Sequence, residues 1–283
     1  MSREPPSFDL VVATVGRAAP LGRLLDSLEQ QDDPRVRVIV VDQNADGRVA
    51  EFLAGRRLEL VHLRSPLGLS RARNVGLREV SAELVGFPDD DCVYPPGLLR
   101  LLAERFAADP LLDGLAARAE DDEGRSSVSW KRDAAFLTAD NLWNRANAAT
   151  MFLRRELVER VGGFDDRLGL GSGEPWSSGE ETDYLIRAVA AGARIAYDPT
   201  VVVLHDVRED DAAIGLRDGA SVGYLLRKHR YPPRTVGRML ARPVGGAALA
   251  LARLDFARAR YYAATLRGRI RGYRGARRSN SSA

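Results

Sequence analysis

Short apolar runs alternate with amphipathic segments four times in the first 106 residues of the chain. The runs at residues 8–15, 36–41, 58–63 and 84–87 are uncharged or nearly so and are predicted to be strands. Apolar residues recur at helical spacing within residues 21–28, 49–53, 70–80 and 98–106. Strands and helices in regular alternation indicate βαβ units, so the sequence predicts an α/β fold with a Rossmann-like, mostly parallel sheet flanked by helices.

Sheets of this kind bind ligands at the carboxyl ends of their strands. Polar residues stand at three such ends: Thr14 after the first predicted strand, Asp42 and Asn44 after the second, and an acidic triplet after the fourth. We expect these side chains to lie along one edge of the sheet. The first strand is not followed by GxGxxG and no Walker loop is present, which argues against NAD, FAD and P-loop sites.

The acidic triplet consists of Asp89, Asp90 and Asp91. Successive carboxylates repel one another unless a cation or hydrogen-bond donors compensate, and Mg²⁺ commonly uses one or two carboxylates together with substrate phosphates. The triplet therefore indicates a metal site, with a solvated acidic turn before a helix as the alternative. His205 ends an apolar run and is either a further metal ligand or an ordinary polar residue at a strand end.

A second acidic segment, GEETD at residues 179–183, opens a helix predicted over residues 180–190. On that helix Glu180 and Asp183 share a face and Glu181 points elsewhere. One of these carboxylates could act as a general base, or the segment could simply be an acidic helix N-terminus. The Gly/Ser-rich loop before it contains Trp176, which could stack on a sugar or pack the loop.

Charge is distributed unevenly along the 283 residues, although the net charge is only +3. Residues 217–283 carry 16 basic and two acidic side chains, whereas residues 1–216 carry 26 basic and 37 acidic ones. We therefore predict a domain over residues 1–216, with halves 1–116 and 117–216, and an Arg-rich helical extension over residues 217–283. The single cysteine, Cys92, cannot form an internal disulfide, which excludes a disulfide-stapled secreted module.

The basic extension has an apolar stripe at helical spacing, bordered by arginines at positions 253, 260 and 267. The stripe consists of Leu249, Ala252, Phe256, Ala259, Ala263 and Leu266. Such a helix suits an anionic membrane surface; a helix docked on the acidic body and a dimerisation helix that forms a homodimer are the alternatives. The longest apolar run, residues 243–252, is far shorter than the roughly 20 residues of a membrane span. We expect a cytoplasmic protein, with the extension attached to the inner face of the membrane.

Seven stretches in order resemble the inverting family 2 glycosyltransferases of the GT-A fold. They are FDLVVATVGR, VIVVDQN, GLSRARNVGL, FPDDDCVYPP, FLRRELVERVGGFDDRLGLG, SGEETDYLIR and VVVLHD. The resemblance spans roughly residues 8–206. It implies a metal-dependent enzyme of the hexosyltransferase type that moves a sugar from a nucleotide-diphosphate sugar to a hydroxyl of a carbohydrate or glycolipid acceptor. The pathway implied is polysaccharide or glycolipid synthesis, without a nucleic-acid partner.

The resemblance also implies roles for the residues at the strand ends. Asp91 would hold the Mn²⁺ or Mg²⁺ that bridges the donor diphosphate, and His205 matches a metal-proximal position. Asp42 matches the residue that reads the nucleotide base. The residues implied for the nucleotide sugar are Thr14, Arg17, Asp42, Arg73, Asp89 and Asp90.

The general base of the family falls in the GEETD segment. Glu181 stands where the commoner pattern has Asp, and Asp183 is the second catalytic candidate. Trp176 and Glu180 are the predicted acceptor-binding residues, because the loop and the helix start lie where such enzymes bind acceptors.

Two other classes of function stay open on the residues alone. One is a different nucleotide-sugar enzyme such as a nucleotidyltransferase, but no Gly-rich, Lys-bearing activation loop follows the first strand. The other is a non-catalytic, membrane-associated protein that binds sugar nucleotides. The combination of the acidic triplet, GEETD and His205 argues against it.

Overall fold

The structure, a computed structural model, describes residues 6–32, 35–207 and 211–279, with side chains through residue 275. The described residues form two compact units. Unit 1 is drawn from Met1–Leu67, Arg71–Phe164 and Tyr184–Val207, and unit 2 from Gly68–Ser70, Asp165–Asp183 and Arg208–Ala283. The boundary predicted after residue 216 falls inside a helix of unit 2, and the division of residues 1–216 into halves stays a prediction.

Nine strands of the described chain form one mixed sheet in unit 1. They are β1 Phe8–Thr14, β2 Val36–Asp42, β3 Glu59–Arg64, β4 Leu84–Gly86, β5 Cys92–Val93, β6 Gly114–Glu120, β7 Ala135–Phe136, β8 Met151–Arg154 and β9 Ile195–His205. Their order is β3-β2-β1-β4-β8-β6-β9-β5, and β7 pairs with β9. The pairs among β1 to β4 are parallel, as predicted, whereas β8 joins β4 and β6 in antiparallel register.

Six helices described in the chain accompany this sheet. They are α1 Ala18–Glu29, α2 Arg48–Leu53, α3 Leu69–Leu77, α4 Leu98–Ala108, α5 Arg155–Val161 and α6 Glu180–Ala190. The first residues of α3 and the first turn of α6 belong to unit 2. Two short 3-10 turns, Leu142–Asn144 and Ala148–Thr150, precede β8.

The centre of unit 1 is apolar because β1 and β2 are buried along almost their whole length. The apolar face of α1 contributes four fully or almost fully buried leucines to this core: Leu21, Leu24, Leu25 and Leu28. Each such side chain stabilises the fold by about 1.5–3 kcal/mol relative to an exposed one. On α3, Gly76 lies so close to the sheet that a Cβ atom there would stand 2.4 Å from Cγ1 of Val11. The buried core holds the strand ends in place.

The C-terminal part of β9 determines where His205 lies. β5 pairs with β9 in antiparallel register, with Cys92 opposite His205. Since Cys92 directly follows the acidic triplet, this pairing brings His205 to the triplet from more than 100 residues away in sequence. The pairing gives a simple physical cause for the position of His205 that the resemblance implied.

Unit 2 contains three further helices, α7 Ala212–Lys228, α8 Pro233–Ala252 and α9 Phe256–Ser279. The extension is therefore helical, as predicted. Helices α7 and α9 pack backbone against backbone through five glycines: Gly215, Gly219 and Gly223 on α7, and Gly268 and Gly272 on α9. A Cβ atom at Gly219 would lie 2.3 Å from the carbonyl oxygen of Thr265. Among the described helices, none combines the length and the apolar character that crossing a bilayer demands.

Candidate functional site

Two acids of the triplet meet His205 at one corner of unit 1. Nε2 of His205 lies 3.3 Å from Oδ1 of Asp91 and 3.5 Å from Oδ2 of Asp89. Arg17, at the start of α1, donates to Oδ2 of Asp91. Oδ1 of Asp91 is buried and, apart from its ion pair with His205, has no hydrogen-bond donor within the described chain. The corner thus concentrates carboxylate charge around the imidazole of His205.

The middle acid, Asp90, turns toward the end of β1. The hydroxyl of Thr14 donates to Oδ2 of Asp90 at 2.7 Å, and the guanidinium of Arg17 lies 3.4 Å from Oδ1. Asp90 therefore ties the acidic turn to the neighbouring strand end. Thr14, predicted to contact the nucleotide, reaches the site through this hydrogen bond.

Arg73 supports the corner from α3. Its guanidinium is buried, donates to Oδ1 of Asp89 at 3.1 Å and lies over the ring of Phe164, 5.5 Å from the ring centre. A buried guanidinium needs an anionic partner, because desolvation of a charge is costly. Asp89 provides one, and Arg73 in turn holds Asp89 beside His205.

The pKa values of the corner follow from burial and from these contacts. Burial raises the pKa of Asp90 to about 6. Burial acts in the same direction on Asp89 and Asp91, but His205 and the arginines outweigh it and hold the pKa of both carboxyls below their usual range. Burial opposes the charged form of His205, yet Asp89 and Asp91 raise its pKa to about 10. The cationic imidazole of His205 therefore offsets the charge of one of the two carboxylates here.

The donor set fits a hard divalent cation. Mg²⁺ and Mn²⁺ prefer carboxylate oxygen and accept imidazole nitrogen, and buried Oδ1 of Asp91 lies 3.3 Å from Nε2 of His205. Single ligand atoms of Asp91, Cys92 and His205 lie within 4.8 Å of one another. The Cys92 thiol suits a hard cation poorly, because burial raises its pKa well above the ordinary value. Asp91, Asp89 and His205 are the residues able to hold the ion, which would displace the proton of the imidazole.

Asp42 lies at the end of β2 and is fully buried. Its Oδ1 accepts hydrogen bonds from the backbone and side-chain nitrogens of Asn44, both at 2.8 Å, and its Oδ2 lies 3.0 Å from Arg64 and 3.2 Å from His62. Asn44 in turn accepts a hydrogen bond from the backbone N–H of Gly16. Asp42 thus organises two strand ends. A base that contacted Asp42 would have to replace one of these partners.

The other predicted residues lie in unit 2, at and before the first turn of α6. Glu180 and Asp183 are buried, and Glu181 is half-buried. The hydroxyl of Thr182 lies 3.4 Å from Oε1 of Glu181. Asp183 accepts at Oδ1 from Nζ of Lys228 at 2.5 Å and contacts Nε2 of His229 at 2.8 Å. Of the two catalytic candidates, Asp183 is engaged with Lys228 and His229, and Glu181 is the more accessible.

The surroundings of Trp176 differ from those expected of an acceptor-binding residue. Its ring is 8% exposed, stacks on Tyr224 with 4.5 Å between ring centres, and contacts Gly275 of α9. A ring that already stacks on a tyrosine offers little surface to a sugar. Packing of the loop, the alternative left open by the sequence, is what the structure shows for Trp176.

The sequence analysis did not identify three residues that contact the predicted site aspartates. His62 and His229 occupy positions that looked unremarkable, inside a strand and in a basic cluster, yet each contacts a predicted site aspartate. Arg64 had a signal: in parallel register β3 places it opposite Asp42. No spacing rule links residue 229 to residue 183, so that contact was not accessible to sequence reasoning.

With this geometry established, comparison with known proteins identifies the family. A sequence profile described as Glycosyl transferase family 2 matches residues 9–162, more than half of the chain. The chain belongs to glycosyl transferase family 2. The match covers all of the strand ends at the corner except His205.

Curated relatives agree with this assignment. The chain is 28% identical over 263 residues to the pre-mycofactocin glycosyltransferase of Mycobacterium tuberculosis, covering 85% of this chain and 51% of the relative. It is 29% identical over 262 residues to the succinoglycan biosynthesis protein ExoM of Rhizobium meliloti, covering 87% and 79%. The chain therefore spans about half the length of the mycobacterial relative.

Solved structures show the same fold. A mannosyltransferase, PcManGT from Pyrobaculum calidifontis, in complex with GDP-Man and Mn²⁺, matches with a TM-score of 0.65 and 19% identity, covering 94% of this chain and 87% of that one. TarS 1-349 from S. aureus in complex with UDP-GlcNAc matches with a TM-score of 0.60 and 18% identity, covering 98% and 92%. At these identities the likeness concerns the fold, and the predicted GT-A fold is confirmed.

Proposed function

We propose that this protein is an inverting, metal-dependent glycosyltransferase that uses a nucleotide-diphosphate sugar to glycosylate a carbohydrate or glycolipid hydroxyl. The observation that carries the proposal is the corner of Asp89, Asp91 and His205, in which a buried carboxylate oxygen has no donor apart from the imidazole of His205. Family membership supports the reaction class. The GDP-Man and UDP-GlcNAc in related structures support the class of donor, and the succinoglycan relative supports polysaccharide synthesis.

In this proposal the corner receives the diphosphate of the donor. Asp91, Asp89 and His205, once its proton is displaced, would hold Mn²⁺ or Mg²⁺, which when bound stabilises the negative charge that develops on the departing nucleoside diphosphate. Arg17 and Arg73 keep the two acids ionised and in place. Thr14, Asp90 and Asp42 fix the strand ends on which the nucleotide lies.

Glu181 is the proposed general base. Its carboxylate takes the proton of the acceptor hydroxyl as the acceptor oxygen bonds to the anomeric carbon. The bond from that carbon to the diphosphate oxygen breaks at the same time, and its electron pair leaves with the nucleoside diphosphate. A single displacement inverts the anomeric configuration. Glu180 is buried and directly precedes the proposed base in sequence. It remains a predicted acceptor-binding residue.

Donor turnover tests this proposal. UDP-glucose, UDP-N-acetylglucosamine and GDP-mannose are incubated with the protein and Mn²⁺ or Mg²⁺, and release of the nucleoside diphosphate is measured. We expect turnover of at least one donor, and we expect Glu181→Gln to lower kcat by roughly 10²–10⁴-fold. Glu104→Gln, which changes an exposed glutamate of α4, is the matched control. Equal kcat for the Glu181→Gln and control variants would contradict the assignment of the base.

We also propose that the turn between α8 and α9 binds an anionic membrane surface. Four large apolar side chains are exposed there, Leu249, Leu251, Leu254 and Phe256, and Arg253 lies among them. Ala259 of the predicted stripe is buried instead. The apolar surface is therefore a compact turn and not a stripe along one helix. Apolar residues combined with the strongly basic extension suit anionic headgroups.

A further inference from the structure

The segment at residues 165–183, which carries the proposed base, lies along helix α7. Ser178 donates from its hydroxyl and its backbone N–H to Oγ of Ser221. Trp176 stacks on Tyr224, one turn further along the helix. Each of these contacts joins the segment to the part of the chain that the sequence analysis assigned to a separate extension.

Gly179 brings the start of α6 close to the same helix. Its φ of +76° lies in the left-handed region, and a Cβ atom there would stand 3.2 Å from Cδ1 of Leu225 and 3.4 Å from Cβ of Ser221. A side chain at this position would strain the backbone and crowd α7. The residue directly before the acidic turn is therefore fitted to the surface of α7.

Lys228, the last residue of α7, joins the two ends of the segment. Its Nζ lies 2.8 Å from Oδ2 of Asp165 and 2.5 Å from Oδ1 of Asp183. Four glycines, at positions 169, 171, 173 and 179, occur between these two aspartates, so the segment has high backbone freedom unless its ends are fixed. A single ammonium group closes this loop.

His229 completes the contact with Asp183. It follows α7 directly, and its Nε2 lies 2.8 Å from the same Oδ1 that Lys228 contacts. Asp183 is 0% exposed, so its carboxylate needs these two hydrogen-bonding neighbours. Glu181 lies two residues earlier on the same helical turn and points away from Asp183, because consecutive helical residues are about 100° apart. Fixing Asp183 therefore fixes the direction of Glu181.

We propose that Lys228 and His229 are positioning residues, which act through Asp183 to orient Glu181 for proton abstraction. The inference rests on the proposed function. In this inference Glu181 takes the proton, and Asp183 holds the first turn of α6 against Lys228 and His229. The end of helix α7 thereby contributes to the reaction.

The chain offers an unusually clean test, because Lys131 and Lys228 are its two lysines among 42 basic residues. Lys228→Met removes the ammonium group and keeps a long side chain, Lys228→Arg keeps the charge, and Lys131→Met is the matched control on an exposed position. All are made in the full-length protein. Turnover is measured with whichever of UDP-glucose, UDP-N-acetylglucosamine and GDP-mannose the wild type consumes, and UDP or GDP binding with Mn²⁺ is measured separately by calorimetry.

We expect Lys228→Met to lower kcat about 10²-fold, the loss typical of a displacement of about 1 Å, with donor KM and nucleotide affinity unchanged. Lys228→Arg should recover most of the loss, and Lys131→Met should behave as wild type. A wild-type protein that consumes no donor would overturn the proposed function itself. An active wild type with unchanged kcat in Lys228→Met would overturn this inference alone, as would an equal loss of kcat and nucleotide affinity.

If Lys228→Met does not fold, as judged by circular dichroism, His229→Gln and Asp165→Asn decide the question. Each removes one contact of the network and keeps the volume of the side chain. A lower kcat at unchanged KM in these variants supports positioning, and wild-type kcat in both overturns it.

Discussion

Asp9 is a buried acid outside the site. Its contacts make the stability of unit 1 depend on pH. Its carboxylate pairs with Arg37 through two hydrogen bonds of 2.8 Å and accepts from the backbone N–H groups of Ser81 and Ala82. Burial alone would raise the pKa of Asp9, but these donors outweigh it and lower the pKa below the ordinary value. Asp9 thus joins β1, β2 and the turn before β4.

We expect Asp9→Ala to reduce the free energy of unfolding by roughly 3 kcal/mol at pH 7, because it leaves Arg37 and two backbone donors without their partner. The folded-state pKa is the lower one, so the contribution of Asp9 is complete above its unfolded pKa. It is lost as the pH falls through the folded pKa. Urea titrations of both proteins from pH 7 to pH 3 should show the difference shrinking toward acid, and a constant difference would contradict the account.

Individual site residues were predictable where a local pattern marks them. The triplet and His205 stand at ends of apolar runs, and their meeting needs only the β5–β9 pairing. Trp176 was ambiguous because an aromatic in a glycine-rich loop has the same sequence pattern whether it stacks on a sugar or on Tyr224. The partners of Asp183 could not be predicted, because they come from a helix whose packing depends on long-range contacts.

At the scale of elements, the glycines between α7 and α9 decide whether unit 2 can form. Gly219 needs a hydrogen in place of a side chain, because a Cβ atom would lie 2.3 Å from a backbone oxygen of Thr265. We expect Gly219→Ala to destabilise the protein by about 3 kcal/mol, because the two helices must move apart. Thermal unfolding followed by circular dichroism measures this loss.

Gly237 of α8 is the matched control for that substitution. It is also a helical glycine, but a Cβ atom there would meet nothing within 4 Å. Gly237→Ala should leave the stability unchanged or raise it by up to about 1 kcal/mol, because alanine favours the helix. If the two substitutions changed the stability equally, helix propensity and not packing would determine the effect of replacing a glycine of unit 2.

Strands and helices with strong periodicity were predicted well, and short strands of weak propensity were not. β1, β2 and β3 and helices α1, α4 and α6 agree with the predicted segments within a few residues. β6, with the sequence GLAARAE, has three alanines and a charged centre, so its strand conformation depends on pairing with β8 and β9. The antiparallel half of the sheet was therefore not accessible from local sequence.

At the scale of the whole molecule, the charge asymmetry and the exposed α8–α9 turn lead to one prediction. Leu254 is 74% exposed and Phe256 is 63% exposed, in a basic part of the chain. We expect the protein to co-sediment with phosphatidylglycerol-containing vesicles more than with phosphatidylcholine vesicles, and the double variant Leu254→Ser, Phe256→Ser to lose most of this binding.

The control is Leu111→Ser, which removes a leucine of unit 1 that is 71% exposed. It should pellet with vesicles as the wild type does. Equal pelleting of all proteins on both vesicle types would contradict the membrane proposal. A change of oligomeric state in the double variant, measured by light scattering, would favour a homodimer through this turn instead.

The basic extension has a different place in the molecule from the one its charge alone indicated. Composition predicted a separate segment after residue 216, but that position lies within α7, in its first third. Ser221, Tyr224 and Lys228 of α7 contact the loop before α6. The net charge of a segment indicates which partners the segment can attract. Its packing depends on the shapes and positions of side chains, and composition does not describe these.

The central claim is that Asp89, Asp91 and His205 form a divalent-metal site that receives a nucleoside diphosphate. Calorimetric titration of UDP and GDP into the full-length protein, with and without Mn²⁺, tests it most directly. We predict binding of at least one nucleotide that requires Mn²⁺ and that weakens at least 10-fold in Asp91→Asn, with Asp122→Asn, an exposed acid, as the matched control. Nucleotide affinity that is the same without Mn²⁺, or the same in Asp91→Asn as in the control, would contradict it.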